Sequence, residues 1–258
     1  QAIPADPIGF PAVIVVTREG QLDHRDLITG PVVDGMDIRM IPNAGDVTDV
    51  DGNVYQSVRI GNQVWTVANL KTTRFNDDTA IPEVTDLSQW NRLTTPARCW
   101  YGQDRAANHE IHGIIYNWYA VDTGKLAPVG WHVPSEADWL ALSLFLMHNG
   151  FNAGASSDGN CVAKALAART GWIEVPSAPG RSICANPGAN NATGFTGLPG
   201  GWLKDGIFER RGLVASWWGA TEGLPGTADE HSLRSASIYL HQNYHRKQCG
   251  HYVRLVRD

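Results

Sequence analysis

The chain has 258 residues and a net charge of −5, with 43% hydrophobic and 18% charged residues. That is enough apolar side chain for a packed core, and too little positive charge for a general nucleic-acid binder. No apolar run approaches the roughly 18–20 residues that span a bilayer, so neither a membrane span nor a nucleic-acid partner is expected. Ten Trp and 27 Gly point to a loop-rich fold in which large rings fill gaps between turns. Cys99, Cys161, Cys184 and Cys249 lack Cys-x-x-Cys spacing, which argues against a finger-type zinc site and leaves one or two disulfides open. The chain starts at Gln1 rather than Met, which fits a processed or trimmed N-terminus and leaves a removed export signal neither seen nor excluded.

Residues 1–45 read as a small β-rich appendage. Ala12–Val16 is a buried strand and Val32–Ile38 a strand or hairpin around Asp34-Gly35. From residue 46 the pattern changes to that of the main domain, 46–258. Asp51-Gly52 and Gly61-Asn62, flanked by β-branched residues, predict two hairpins. Apolar spacing over Ile111–Val121 predicts a helix ending before Gly124. A stronger one follows Pro134, with Ser135 as N-cap and Asp138 three positions on, stopping at Asn149-Gly150. Val162–Arg169 reads as an alanine-rich helix closed by Gly171. Residues 151–160 are loop, and 176–201 a long loop with Phe195 and Leu198 able to tack it to the core. Trp202–Val214 and Ser232–Val256 read as short strands and turns. The sum is an α+β domain with two or three helices, short antiparallel strands and long ordered loops.

Several phrases, in order, carry a family resemblance: Val47-Thr-Asp-Val-Asp-Gly-Asn-Val-Tyr55, Ile60-Gly-Asn-Gln-Val-Trp65, Ala68-Asn-Leu70, Tyr116–Val121, Gly130-Trp-His-Val-Pro-Ser135, Leu198–Gly201, Trp217–Glu222 and Val253–Asp258. Together they resemble the Fibrobacter succinogenes major paralogous (FISUMP) domain over about 47–258. That family is similar to the C-type-lectin fold of formylglycine-generating enzymes, whose helix-opening phrase Gly130–Trp139 resembles. The resemblance implies an exported or surface-exposed bacterial protein without an assigned reaction. The same fold serves the variable proteins of diversity-generating retroelements, whose C-terminal segments are mutated to change ligand. Family members often carry Cys where this chain has Leu255, matched to the one at Cys99; here Cys99 loses that partner, and a Cys99–Cys249 bridge is conceivable. Departures cluster at His241, His245, Arg246 and Cys249-Gly250-His251, with fixed phrases on both sides, which fits a diversified binding surface.

The run from Ser232 to Cys249 is crowded with His, Tyr, Asn, Gln, Arg and Ser, a composition suited to adaptable contacts. The expected ligand-binding face comprises Trp217, Arg234, Ser235, Ser237, Tyr239, His241, Asn243, Tyr244, His245, Arg246, Gln248 and His251, with Trp218 in the core. Tyr239, His241 and Asn243 would point the same way in a strand. A metal site from His241, His245, Cys249 and His251 is the alternative. His-x3-His aligns ligands on a helix, however, and this segment reads as strand and turn, so neither metal nor cofactor is expected. One C-terminal Cys lacks the partner that formylglycine-type chemistry needs, and no Gly-x-Ser-x-Gly elbow, phosphate loop or dinucleotide fingerprint occurs. A Ser-His-Asp triad assembled in space stays open. The reading is a non-catalytic recognition protein, a bacterial surface adhesin or phage receptor-binding protein. Its ligand would be a cell-surface protein or glycan, its location extracellular, on the cell surface or on a virion, and its oligomeric state is left open. The alternatives are a structural or assembly domain, or a metal-dependent enzyme related to formylglycine-generating enzymes.

Overall fold

The computed structural model describes residues 43–152, 160–175 and 182–258, and the backbone of Ala12–Val16 and His24–Ile28. Contacts divide the chain into Gln1–Asn43 and Ala44–Asp258. In the first unit β1 (Ala12–Val16) pairs antiparallel with β2 (His24–Ile28), Ile14 opposite Asp26. The hairpin expected over Val32–Ile38 lies outside the described residues.

The second unit opens with the two expected hairpins. β3 (Val47–Thr48) and β4 (Val54–Tyr55) close around Gly52, and β5 (Ser57–Ile60) and β6 (Gln63–Thr66) around Gly61. Both glycines have positive φ, +84° and +64°, the conformation their turns demand. Then come α1 (Leu87–Trp90), β7 (Arg98–Cys99), α2 (Arg105–Asn108), β8 (Ile115–Asn117), α3 (Trp118–Asp122), α4 (Glu136–His148) and α5 (Ala163–Leu166). The C-terminal third is β-rich: β9 (Trp202–Lys204), β10 (Ile207–Glu209), β11 (Val214–Glu222), β12 (Thr227–Arg234), β13 (His241–Arg246), β14 (Gly250–His251) and β15 (Val256–Arg257).

These strands form a five-stranded sheet, β10-β9-β14-β8-β7, and two three-stranded sheets, β11-β12-β13 and β15-β6-β5. The last places Val256 opposite Trp65, so the chain end is sewn onto the start of the unit. The architecture is α+β, with five α-helices among the described residues where two or three are expected. Four of the five are single turns.

α4 forms as its sequence dictates. The Ser135 hydroxyl accepts from the Asp138 N–H and the Asp138 carboxylate accepts from the Ser135 N–H at 2.8 Å, a complete capping box. Trp139, Leu142 and Leu146 turn inward, and Gly150 ends the helix at φ +82°. The other two helices depart from expectation. Ile114, Ile115 and Tyr116 are fully buried, and Ile115–Asn117 is β8, between β14 and β7. A run buried on both faces carries no period that separates strand from helix. Helix begins only at Trp118, where the Asn117 side chain caps the Ala120 N–H. α5 stops at Leu166 because Ala167 turns extended and bridges Gly197.

The core centres on packed rings. Trp139 lies 4.8 Å from Trp65, 6.1 Å from Phe195 and 5.9 Å from Trp217 between centroids. Phe195 thus tacks its long loop to the core as expected; residues 176–181 of that loop lie outside the described residues. Arg254 is buried among these rings, donating to Asn69 Oδ1 (2.8 Å) and to the carbonyls of Thr66, Phe195 and Thr196. All four cysteines are free thiols, so the Cys99–Cys249 bridge does not form.

Candidate functional site

The β11-β12-β13 sheet carries most of the sequence-predicted face, and its register sorts those residues onto two sides. Trp217, His231 and Gln242 are direct neighbours across the strands, as are Trp218, Glu230 and Asn243. Since side chains alternate, Gln242, Tyr244 and Arg246 share the first side, and His241, Asn243 and His245 the second.

On the first side, α4 covers the inner strands. Trp139 stacks on His231 with centroids 4.6 Å apart and planes 15° apart. Buried Asp229 accepts from Gln242 Nε2 at 3.0 Å and meets His231 Nε2 at 2.7 Å. β13 is the outer strand among the described residues, left largely uncovered by α4, and there Gln242, Tyr244 and Arg246 are exposed. Tyr244 rests over Gly223, where any side chain would collide with its ring, and its hydroxyl reaches Glu136 at 3.4 Å. The neighbouring hairpin tip leaves Leu224 79% exposed. Arg246 pairs with Asp205, both side chains largely in solvent, a contact worth little to stability.

The second side holds a buried polar chain. Ser216 donates to Glu230 Oε1 (2.7 Å) and contacts His251 Nδ1 (2.5 Å), while Asn243 donates to Glu230 Oε2 (2.9 Å). His251 Nε2 meets His245 Nδ1 at 2.9 Å, and the Cys249 thiol completes a group whose ligand atoms all lie within 4.8 Å of one another. Burial pushes both imidazoles below the ordinary range, His251 the further, with His245 and Lys204 adding to its shift. Burial also raises the Cys249 thiol. This is not a catalytic triad, in which the imidazole sits between hydroxyl and carboxylate. Here Ser216 sits between, its single proton goes to Glu230, and all three side chains are fully buried.

The predicted face therefore divides. Tyr239, Tyr244 and Arg246 are exposed. His241, Asn243, His245, Ser237, Arg234 and Gln248 are half-buried; His241 contacts Ser237 Oγ at 2.8 Å and Gln248 donates to the Tyr119 hydroxyl at 3.1 Å. Trp217, Ser235 and His251 are not on a surface. Trp217 is a core ring whose N–H donates to Asn69 Oδ1, Ser235 is buried after β12, and His251 faces inward from β14. Trp218 is in the core as expected. Tyr239 precedes β13 and does not continue the alternation of His241 and Asn243. Sequence reasoning missed exposed Gln242, which period-2 alternation with Tyr244 would have found, and Ser216, for which no local signal exists.

The model of the Fibrobacter succinogenes major domain matches residues 58–257. The chain belongs to that family. The matched Fibrobacter succinogenes major domain takes in every strand from β6 to β15 and both sides of the β11-β12-β13 sheet, while β1 to β4 precede it. Neither the curated proteins nor the solved structures contain a match to the chain.

Proposed function

We propose that this domain is a non-catalytic recognition module, and that the outer strand β13 with the adjoining hairpin tip is its ligand contact. The observation that carries the reading is the exposure of Gln242, Tyr244 and Arg246 on one side of an outer strand whose other side is fixed by partly buried hydrogen bonds. Tyr and Arg supply area and stacking, Gln adaptable hydrogen bonds, on a framework that loses little entropy on binding. With Tyr239 and Leu224, the contact set narrows to five side chains.

The scaffold is read as a C-type-lectin-like fold of the formylglycine-generating-enzyme variant. The capped helix opened by Gly130–Trp139 and the pairing of β15 with β6 support that reading. The protein would act outside the cell, as a surface adhesin or phage receptor-binding protein, on a cell-surface protein or glycan. Retroelement diversification of the β13 segment is part of the proposal. A near-duplicate of the 3′ coding end, differing at adenines, beside a reverse transcriptase gene would support it.

The test is a glycan and protein array probed with the wild-type chain and with Tyr244→Ala/Arg246→Ala. Binding lost at unchanged melting temperature supports recognition by this face. Binding retained refutes the face, and no binding by the wild type leaves a structural or assembly domain.

A further inference from the structure

We propose that His245, Cys249 and His251 form a binding site for one divalent transition ion of the zinc type, seated under β13. The site does not depend on the recognition reading, because it uses the side of β13 opposite Tyr244.

The chain builds the cluster locally. β13 delivers His245 on its inward side, the turn closes with the Cys249 N–H donating to the Arg246 carbonyl at 2.8 Å, and β14 brings His251 back beneath. Gly250 permits the tight return, since a Cβ there would strike Ile115 and Leu203. Two nitrogens at about 2.1 Å and a sulfur at about 2.3 Å around a tetrahedral ion lie roughly 3.3–3.7 Å apart. The three ligand atoms, 2.9 Å apart for the nitrogens and within 4.8 Å throughout, bracket that geometry and reach it with side-chain shifts of up to about 1 Å.

The surroundings are those of a metal ligand set. As a carboxylate Glu230 only accepts, so the Ser216 proton points to it, and His251 Nδ1 must be the N–H that donates to Ser216. That fixes the tautomer with the Nε2 lone pair aimed at the cluster, the carboxylate-supported orientation of metal-bound histidines. Trp202 stands edge-on to both rings (5.6 and 6.0 Å) and Trp218 edge-on to His251 (4.4 Å), excluding water on those sides. His245 is half-buried, which leaves an entry path and a fourth coordination position on its side. Binding requires His245 to move its proton from Nδ1 to Nε2 and Cys249 to release its proton to solvent, giving a thiolate–metal bond. The positive charges of Lys204, Arg234 and Arg246 oppose the ion, and Glu230 offsets part of them. His241 is excluded: four residues along a strand separate it from His245 by about 13 Å.

The experiment strips the full chain with a chelator and titrates zinc by calorimetry, with cobalt(II) as a spectroscopic probe. One equivalent should bind and raise the melting temperature, with a thiolate-to-cobalt charge-transfer band. Cys249→Ser and His245→Ala should each weaken binding more than tenfold, Ser216→Ala about 10–100-fold, and His241→Ala not at all. No stoichiometric binding, a cobalt spectrum without the thiolate band, or affinity unchanged by Cys249→Ser and His245→Ala would overturn the site. The wild-type cobalt spectrum decides even where a variant fails to fold.

Discussion

Replacing Arg254 tests the scaffold at its most buried cation. The guanidinium is 1% exposed and lies 4.6 Å above the Phe195 ring. It donates to Asn69 Oδ1 and to three backbone carbonyls at 2.6–3.0 Å. Arg254→Ala leaves the Phe195 and Thr196 carbonyls without that donor, at about 1–3 kcal/mol for each that water does not reach. Lost packing between Phe195 and Trp217 adds to this, so about 3–5 kcal/mol is expected. With a urea m-value of about 2–3 kcal/mol per M, the unfolding midpoint falls by roughly 1–2 M at unchanged m. Arg254→Lys keeps the charge but not the planar fork and should lie in between. A loss below about 1 kcal/mol for Arg254→Ala would show that the guanidinium network does not hold the loop around Phe195 to the core.

Three further outcomes follow from the same physics. Ser135→Ala removes half of the capping box and should cost about 1 kcal/mol in thermal or urea unfolding; Ser135→Asp should recover much of it. His112 is buried, and burial aided by Arg211 brings its pKa down to about 4. The unfolded chain therefore takes up its proton first: the stability is full above pH 6.5 and falls as the pH drops toward 4. This one group accounts for up to about 3 kcal/mol. His241, also brought down to about 4 by burial, acts in the same direction. Urea midpoints that stay flat or rise between pH 6.5 and 4 would contradict this, and His112→Gln should flatten the slope. Thiol titration in denaturant should find four free thiols, and under native conditions Cys184, the half-buried one, should react first; a count below four would mean a disulfide forms.

What could be read from sequence was what local chemistry decides. Asp51-Gly52, Gly61-Asn62 and the Ser135–Asp138 cap fix their turns and helix start within a few residues, and each formed. β8 was hidden because Ile114–Tyr116 is apolar on both sides, and its strand state is set by β14, which arrives from more than 130 residues later. The recognition face was legible as a composition but not as a surface. Whether Tyr244 or His245 faces water depends on where α4 and β14 pack. His251, polar by type, is fully buried because the two-residue β14 inserts it beside Trp218. The same return after β13 joins His245, Cys249 and His251, three of the four residues weighed from sequence as a metal site, and leaves out His241.

The most direct test of the account measures binding and stability together on Tyr244→Ala/Arg246→Ala, using a ligand retained by the wild-type chain on a glycan or protein surface. Both side chains are exposed, so the melting temperature should stay within a degree or two while affinity falls at least tenfold, about 1.4 kcal/mol. Full affinity in the double variant would contradict the assignment of the β13 face.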